Sequence, residues 1–536
     1  MNKQEKTLLI QGLEQELAVG KITRREFIGR MAAFGLATTL PLTFTGKKVM
    51  AAIPKKGGKL KVGIAHGSTT ETYDPATIES GFQGVMSRAM TNTLTEIDAD
   101  NKVIPCLAES WEFSADAATW TFKLRKGVEF HNGKSLTAKD VIASINYHRG
   151  KDSKSSVKPL ADPIETLKAD GDHTVVFVLK GGNADFPFNL DTPGFAIYPA
   201  AEDGGLDWKP GIATGAYILK KFEPGVQAFF VRNPNYWKEG RAHADEIELL
   251  VILDTPARTN ALLTGAVDVI DQIDLKSAHL LERRAGIHIE ETSGPLHYTF
   301  PMLSKTAPFD DNNVRLAVKF AIDREEMLKL VLGGHGTVGN DTPIGPSYRF
   351  YAAELEKNSY DPDKAKFHLK KAGLNKLSVN LSTAEAAFIG AVDSAVLYKE
   401  QAAKAGIEIN VVRESNDGYW SNVWLKKPWC ACYWAGYSTE DTIFSTGYAP
   451  NAAWNDTQWN HERFNKLMVE ARAELDQTKR REMYVEMQRI LRDEGGAVVA
   501  MFANAVLARN DKVSHGKLSS TARLDGGRIA ERWWLT

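Results

Sequence analysis

Cysteine is scarce: Cys106, Cys430 and Cys432 are the only three in 536 residues. Their spacing suits no zinc site, and a Cys-x-Cys pair on one strand face is poorly placed to bridge itself, so all three read as buried thiols. An excess of one charge is also lacking, since 66 Lys+Arg stand against 67 Asp+Glu for a net charge of −1. No basic run dominates any segment, which argues against nucleic acid as a partner. There is no repeat of fixed period, no low-complexity tract and no coiled coil. Catalytic signatures are missing too: no G-x-S-x-G elbow, no H-E-x-x-H helix and no dinucleotide-binding glycine fingerprint in context. A Gly-Lys-Ser at 133–135 imitates the end of a phosphate-cradling loop. Such a loop needs a glycine five positions earlier; Val128 stands there, with Gly127 one residue too far away. Gly133 is then a turn residue, and Lys134 is expected to point to solvent.

What the chain does contain is ordinary globular material rich in flat rings, with 43% hydrophobic residues and twelve Trp. Its length suggests two to four folding units. The first fifty residues differ from the rest. Arg24 and Arg25, with Thr23 before and Phe27 after, precede a moderately apolar run from Met31 to Phe44 and small residues at Ala51 and Ala52. Lys47 and Lys48 fit the same pattern. The run is too short and too rich in Gly, Ala and Thr for a membrane span, so residues 1–52 read as a twin-arginine export signal cleaved near Ala51 or Ala52.

Beyond it, helices alternate with short β-rich runs, as expected of an α/β fold. "TWTFKL" places Trp120, Phe122 and Leu124 on one strand face. "SLTAKDVIASINYHR" reads as a helix capped by Thr137 with Asp140 three residues on, burying Val141, Ile142 and Ile145. "DDNNVRLAVKFAIDREEMLKLVLGG" reads as one strong helix ended by Gly333 and Gly334, with Val314, Ala317, Val318, Ala321 and Ile322 inside. Asp361, Pro362 and Gly373 frame another, and Met483, Met487, Ile490 and Leu491 form the inner face of a third. "LSVNLS", "IEINVV" and "VVAMFA" are expected strands.

Several segments, in order, resemble the extracytoplasmic solute-binding proteins of family 5, which serve peptide, nickel and opine ABC importers. They are "LAESWEFSADAATWTFKLRKGVEFHNGKSLTAKDV", "GIATGAYIL" with Ala216 where the family has proline, "RNPNYWK", "LLTGAVDVID" and "APFDDNNVRLAVKFAIDREEM". The resemblance implies a two-lobed periplasmic-binding-protein fold of type II, with an extra domain inserted in the first lobe. By analogy the first lobe takes 53–92, 206–290 and 505–536, the inserted domain 93–205, and the other lobe 291–504. It also implies a monomer that delivers its ligand to a membrane permease with its own ATPase, after export by the twin-arginine machinery, with no catalytic residues, resident metal or cofactor.

In peptide-binding relatives the ligand lies between two segments, matched here by "DPATIESGFQ" and "CYWAGYSTEDTIF". From these the resemblance nominates Glu79, Ser80, Gly81, Phe82 and Gln83 on one side, and Tyr433, Trp434, Ala435, Tyr437, Glu440 and Asp441 on the other. The family's amine-binding aspartate is replaced by Tyr437. That removes the charge expected to meet a peptide N-terminus. If Trp434, Tyr437, Glu440, Asp441 and Glu79 converge, they can still hold a cation between ring faces and carboxylates. The acidic pair equally suits a helix start. Trp420, Trp424 and Trp429 read as packing residues, and His131 and His297 as structural rather than metal ligands. A small peptide or peptide-like amine ranks first as ligand and an opine or modified amino acid second, ahead of sugars and nickel complexes. A secreted hydrolase, or a chaperone or signalling receptor on the same fold, competes with the importer reading.

Overall fold

The computed structural model describes residues 54–536 apart from 79, 389, 417, 418 and 451. The segment expected to be an export signal, and Glu79, lie outside the described residues. Lys59–Ile64 buries alternate residues at its start and all three at its end, as a strand running into a covered sheet centre must. It pairs in parallel with Glu246–Val251 on one side and Val269–Asp271 on the other. The full sheet has seven strands in the order Ile287–Thr292, Ala505–Asn510, Val269–Asp271, Lys59–Ile64, Glu246–Val251, Gln227–Arg232 and Tyr217–Glu223. Chain segments far apart in sequence thus share one core, which includes Val62, Phe82, Phe230, Leu249 and Trp533.

A separate antiparallel sheet, ordered Ala108–Phe113, Thr119–Leu124, Thr174–Leu179 and Ile164–Ala169, carries its own core. Trp120, Phe122 and Leu124 lie on its buried face, as the period of two requires. Against it packs the helix Ala138–Asn146, where Asp140 Oδ2 accepts from both the Thr137 amide and hydroxyl at 2.8 Å. Lys134 is exposed, as expected, and also makes two bonds at its tip. Its Nζ donates to Asp140 Oδ1 at 2.8 Å and to the Ala200 carbonyl at 3.3 Å, because the buried Asp140 needs a counter-charge.

A third sheet, ordered Gly336–Val338, Ala497–Ala503, His297–Pro301 and Cys432–Trp434, sits beside the parallel pair Leu377–Thr383 and Ile407–Arg413. The expected single helix after residue 310 is two helices, Asn312–Phe320 and Arg324–Val331. Asp323 makes the break: its carboxylate accepts from the Glu326 amide at 3.0 Å and starts a new helix. The cysteines are free and buried, and burial pushes the Cys430 thiol up.

Two connections join the first and third sheets. One runs from Thr292 to His297, the other consists of Asn504 alone between Ala503 and Ala505. They touch: a Cβ on Gly294 would lie 2.9 Å from the Ala503 carbonyl oxygen.

Candidate functional site

The parallel strands Lys59–Ile64 and Val269–Asp271 end side by side, and ligands in open α/β sheets bind beyond such carboxyl ends. Here Asp271 Oδ1 accepts from the Ala65 amide at 2.7 Å. Arg258, 1% exposed, donates to the carbonyls of Ile252, Leu253, Asp271 and Gln272 at 2.6, 3.1, 3.0 and 2.7 Å. One arginine thus ties two strand ends together.

The helix Gly81–Met90 starts beside them, with the Gly81 amide 3.4 Å from His66 Nδ1. Ser80 and Gln83 cap it reciprocally: the Ser80 hydroxyl accepts from the Gln83 amide, and Gln83 Oε1 accepts from the Ser80 amide, both at 3.1 Å. Gln83 Nε2 also donates to the carbonyls of Thr72 and Thr77 at 2.9 and 3.1 Å, and the Ser80 hydroxyl donates to Glu71. Phe82 is fully buried and stacks on Phe222. Among the described residues of this nominated group, Gly81 alone is exposed.

On the third sheet Tyr433 pairs with Tyr298, and His297 with Trp434. Alternation sends Tyr433 outward, 42% exposed, and Trp434 inward. Ala435 is exposed. Tyr298 stacks on Phe388 at 4.3 Å, and Tyr433 meets the ring of Trp420 at 5.5 Å. Trp420 is therefore not mainly a packing residue: it is 39% exposed, whereas Trp429 is buried. Trp424, Trp434 and Trp454 form a second cluster, and the indoles of Trp424 and Trp434 donate to Asp456 Oδ2 at 3.1 and 3.2 Å. Burial pushes the Asp456 carboxyl up to about 6, against those two donors. Asp456, Trp454 and Tyr298 carry no periodic or motif signal and escaped the reading of the chain.

Tyr437 is partly buried, 6.5 Å from the Trp434 ring and with its hydroxyl beside Thr446. The acidic pair opens the helix Glu440–Gly447, capped by Thr439. Glu440 Oε1 accepts from the Phe350 amide at 2.7 Å, and Asp441 takes the Arg472 guanidinium at 3.0 Å. Burial pushes both carboxyls up, with Arg349 opposing at Glu440 and Arg472 at Asp441. The carboxylates are buried, yet their positive partners come from the protein itself. They give no reason for a cationic ligand.

His131 bridges backbone, its Nε2 3.1 Å from the Gly215 carbonyl and its Nδ1 3.3 Å from the Ala213 amide. His297 is buried and held down to about 4 by that burial, its Nδ1 against the Pro295 carbonyl. Among the described residues no three His, Cys, Asp or Glu side chains gather as a metal site.

Two sheets joined by two short connections define a two-lobed solute-binding protein. The chain belongs to the bacterial extracellular solute-binding proteins of family 5, whose middle region matches residues 102–456. It is 26% identical over 536 residues to di/tripeptide-binding protein 2 of Pseudomonas aeruginosa, covering 91% of this chain and 97% of that one. Its fold is similar to that of the periplasmic binding protein DppA of Helicobacter pylori, solved with the peptide STSA: TM-score 0.72, 23% identity, 89% and 98% coverage. It is also similar to that of the substrate-binding protein CtaP of Listeria monocytogenes, at TM-score 0.78, 20% identity, and 90% and 100% coverage. No helix among the described residues is long and apolar enough to cross a membrane.

Proposed function

We propose that this chain is the extracytoplasmic receptor of an ABC importer, which captures a small peptide or peptide-like solute between its lobes and passes it to a membrane permease. The observation that carries this reading is a seven-stranded sheet with open strand ends and a separate sheet with exposed rings, between which the chain passes at 293–296 and at Asn504. Such a joint favours hinge closure around a guest, with closed and open states selected by differential affinity. The lobe limits given above, the twin-arginine export of the first 52 residues, a periplasmic location and a monomeric receptor without catalysis belong to the same proposal. The di/tripeptide relative supports a peptide ligand. Tyr437 in place of the amine-binding aspartate favours a second reading, an opine or other modified amino acid, because no side-chain charge at that position meets an ammonium.

Native mass spectrometry of the purified mature protein, paired with melting curves in a panel of di- and tripeptides and opines, tests it. At 100 times the dissociation constant a true ligand adds about 2.7 kcal/mol of stability, with the ligand recovered unchanged. Turnover of a bound compound, or no stabilisation by any of the panel, overturns the reading.

A further inference from the structure

The loop between the strands Gln227–Arg232 and Glu246–Val251 carries cationic groups that the receptor reading does not use. Glu246–Val251 runs parallel to Lys59–Ile64 and starts where this loop ends. The loop therefore lies at the amino end of the parallel strands, opposite the carboxyl ends where the solute site is placed. There it meets the short hairpin of Thr95–Ile97 and Val103–Pro105, and Arg125, which directly follows the strand Thr119–Leu124. Between them is a cavity of about 340 Å³, with Ile104 and Pro105 on the hairpin, Arg125 beside the four-stranded sheet, and Trp237, Lys238 and Arg241 on the loop.

The acid in the cavity floor is fully engaged. Glu96, 2% exposed, accepts from Lys238, and from Arg532 at 2.8 Å, while the buried Glu531 takes Lys238 at 3.0 Å. Arg528 lies 3.6 Å from both carboxylates and 2.6 Å from Asp191. Followed through its ion pairs, this network sets the acids Glu96, Glu531, Asp191 and Asp525 against the bases Lys238, Arg528, Arg532, Arg88 and Arg241, so one base is in excess. Arg125 adds a further cation at the wall. Glu239 at the rim offsets one, and it is exposed, with no hydrogen bond or ion pair among the described residues. The charged side chains that line the cavity give the same balance, Arg125, Lys238 and Arg241 against Glu96 and Glu239.

Arg125 and Arg241 keep most of their donors free. Arg125 Nε donates to the Cys106 carbonyl at 3.2 Å, and its guanidinium lies 5.0 Å from the centre of the Trp237 ring, which is fixed by an indole donation to Asn92 Oδ1 at 3.1 Å. Arg241, its side chain 42% exposed, has its Nε 3.8 Å from Glu531 and makes one long bond, to the Gly240 carbonyl at 3.4 Å. Each guanidinium has five N–H donors, so at both arginines the greater part is left for a guest. We infer that this cavity binds a phosphate group, held by Arg125 from one wall and Arg241 from the other. A tetrahedral phosphate presents oxygens to both walls at once, whereas a carboxylate offers two at a single edge, and a guanidinium stays charged while pairing its N–H groups with such oxygens. The guest ties two sheets together, since Arg125 follows a strand of the four-stranded sheet and Arg241 lies between two strands of the seven-stranded one. This site is independent of the receptor reading.

The test is equilibrium dialysis of the mature protein against radiolabelled inorganic phosphate at constant ionic strength. The wild type should take up about one phosphate per chain, and Arg125→Gln and Arg241→Gln should each bind it at least about tenfold more weakly, as loss of a charge-assisted hydrogen bond does. Arg283→Gln, which removes an exposed arginine outside the cavity, should bind as the wild type does. Melting in sodium chloride checks folding; if Arg125→Gln melts well below the wild type, the exposed Arg241 decides the matter through its own variant. Competition with phenyl phosphate identifies the source of the group. Displacement at lower concentration than unlabelled phosphate assigns it to an organic ester packed on Trp237, equal or weaker displacement assigns it to free phosphate, and both uphold the site. No saturable uptake by the wild type, or uptake that Arg241→Gln weakens no more than Arg283→Gln does, overturns the inference.

Discussion

At the scale of single residues, Asp456 shows how a buried acid can serve an aromatic wall. It is 3% exposed and holds two indole N–H groups, so it orients Trp424 and Trp434 as a pair. A carboxyl whose folded value is raised to about 6 favours the folded state below its unfolded value, and that advantage is lost as pH rises through about 6. Asp456→Asn should therefore remove a pH-dependent contribution of about 3 kcal/mol across that window. His297 acts in the opposite direction: held down to about 4, it costs stability as pH falls below its unfolded value. The two slopes offset each other in the wild type, so the quantity to measure is the variant-minus-wild-type difference in urea midpoint between acid and neutral pH. A difference that does not change with pH would show that Asp456 titrates normally.

Among elements, the helix Gly81–Met90 depends on its start. Ser80 satisfies the Gln83 amide and also reaches the buried Glu71, whose Oε2 has no hydrogen-bond partner among the described residues. Ser80→Ala should cost about 1–2 kcal/mol, as loss of a good cap does. The urea midpoint reads it, and an unchanged midpoint would mean that the cap is dispensable. The same residues explain why Ser80 and Gln83, nominated as ligand contacts, are occupied with shaping the wall. The broken helix at Asp323 teaches a related point: apolar periodicity continued through Ala321 and Ile322, but a side chain able to cap the next turn outweighed it.

Across the whole molecule, a buried charge cluster links residues distant in sequence, Asp185 with Arg349 and Arg480. Asp185 accepts from Arg480 at 2.6 and 3.0 Å and from Arg349 at 2.5 Å, and the Arg349 guanidinium lies 4.1 Å from the Phe188 ring centre. Burial alone would raise the Asp185 carboxyl, but the two arginines hold it below its usual range. Removing one member of a buried pair costs about 3–5 kcal/mol because the other charge is stranded. Asp185→Asn should lower the melting temperature and, if this contact helps hold the lobes together, enlarge the ligand-free radius of gyration in small-angle scattering. Lower stability with an unchanged radius would confine Asp185 to packing.

The elements themselves were legible along the chain because their causes are local. Alternation at Trp120, Phe122 and Leu124, the Thr137–Asp140 cap, and Asp361 with Pro362 act between neighbours a few residues apart, so spacing alone determined them. The ordered motifs likewise identified the family. Contacts between distant residues were decided only by tertiary structure. Asp185 meets Arg480 across 295 positions, and Asp441 finds Arg472. A charge in a sequence carries no label for its partner; burial supplies one, because a desolvated group persists only where a complement has been brought to it.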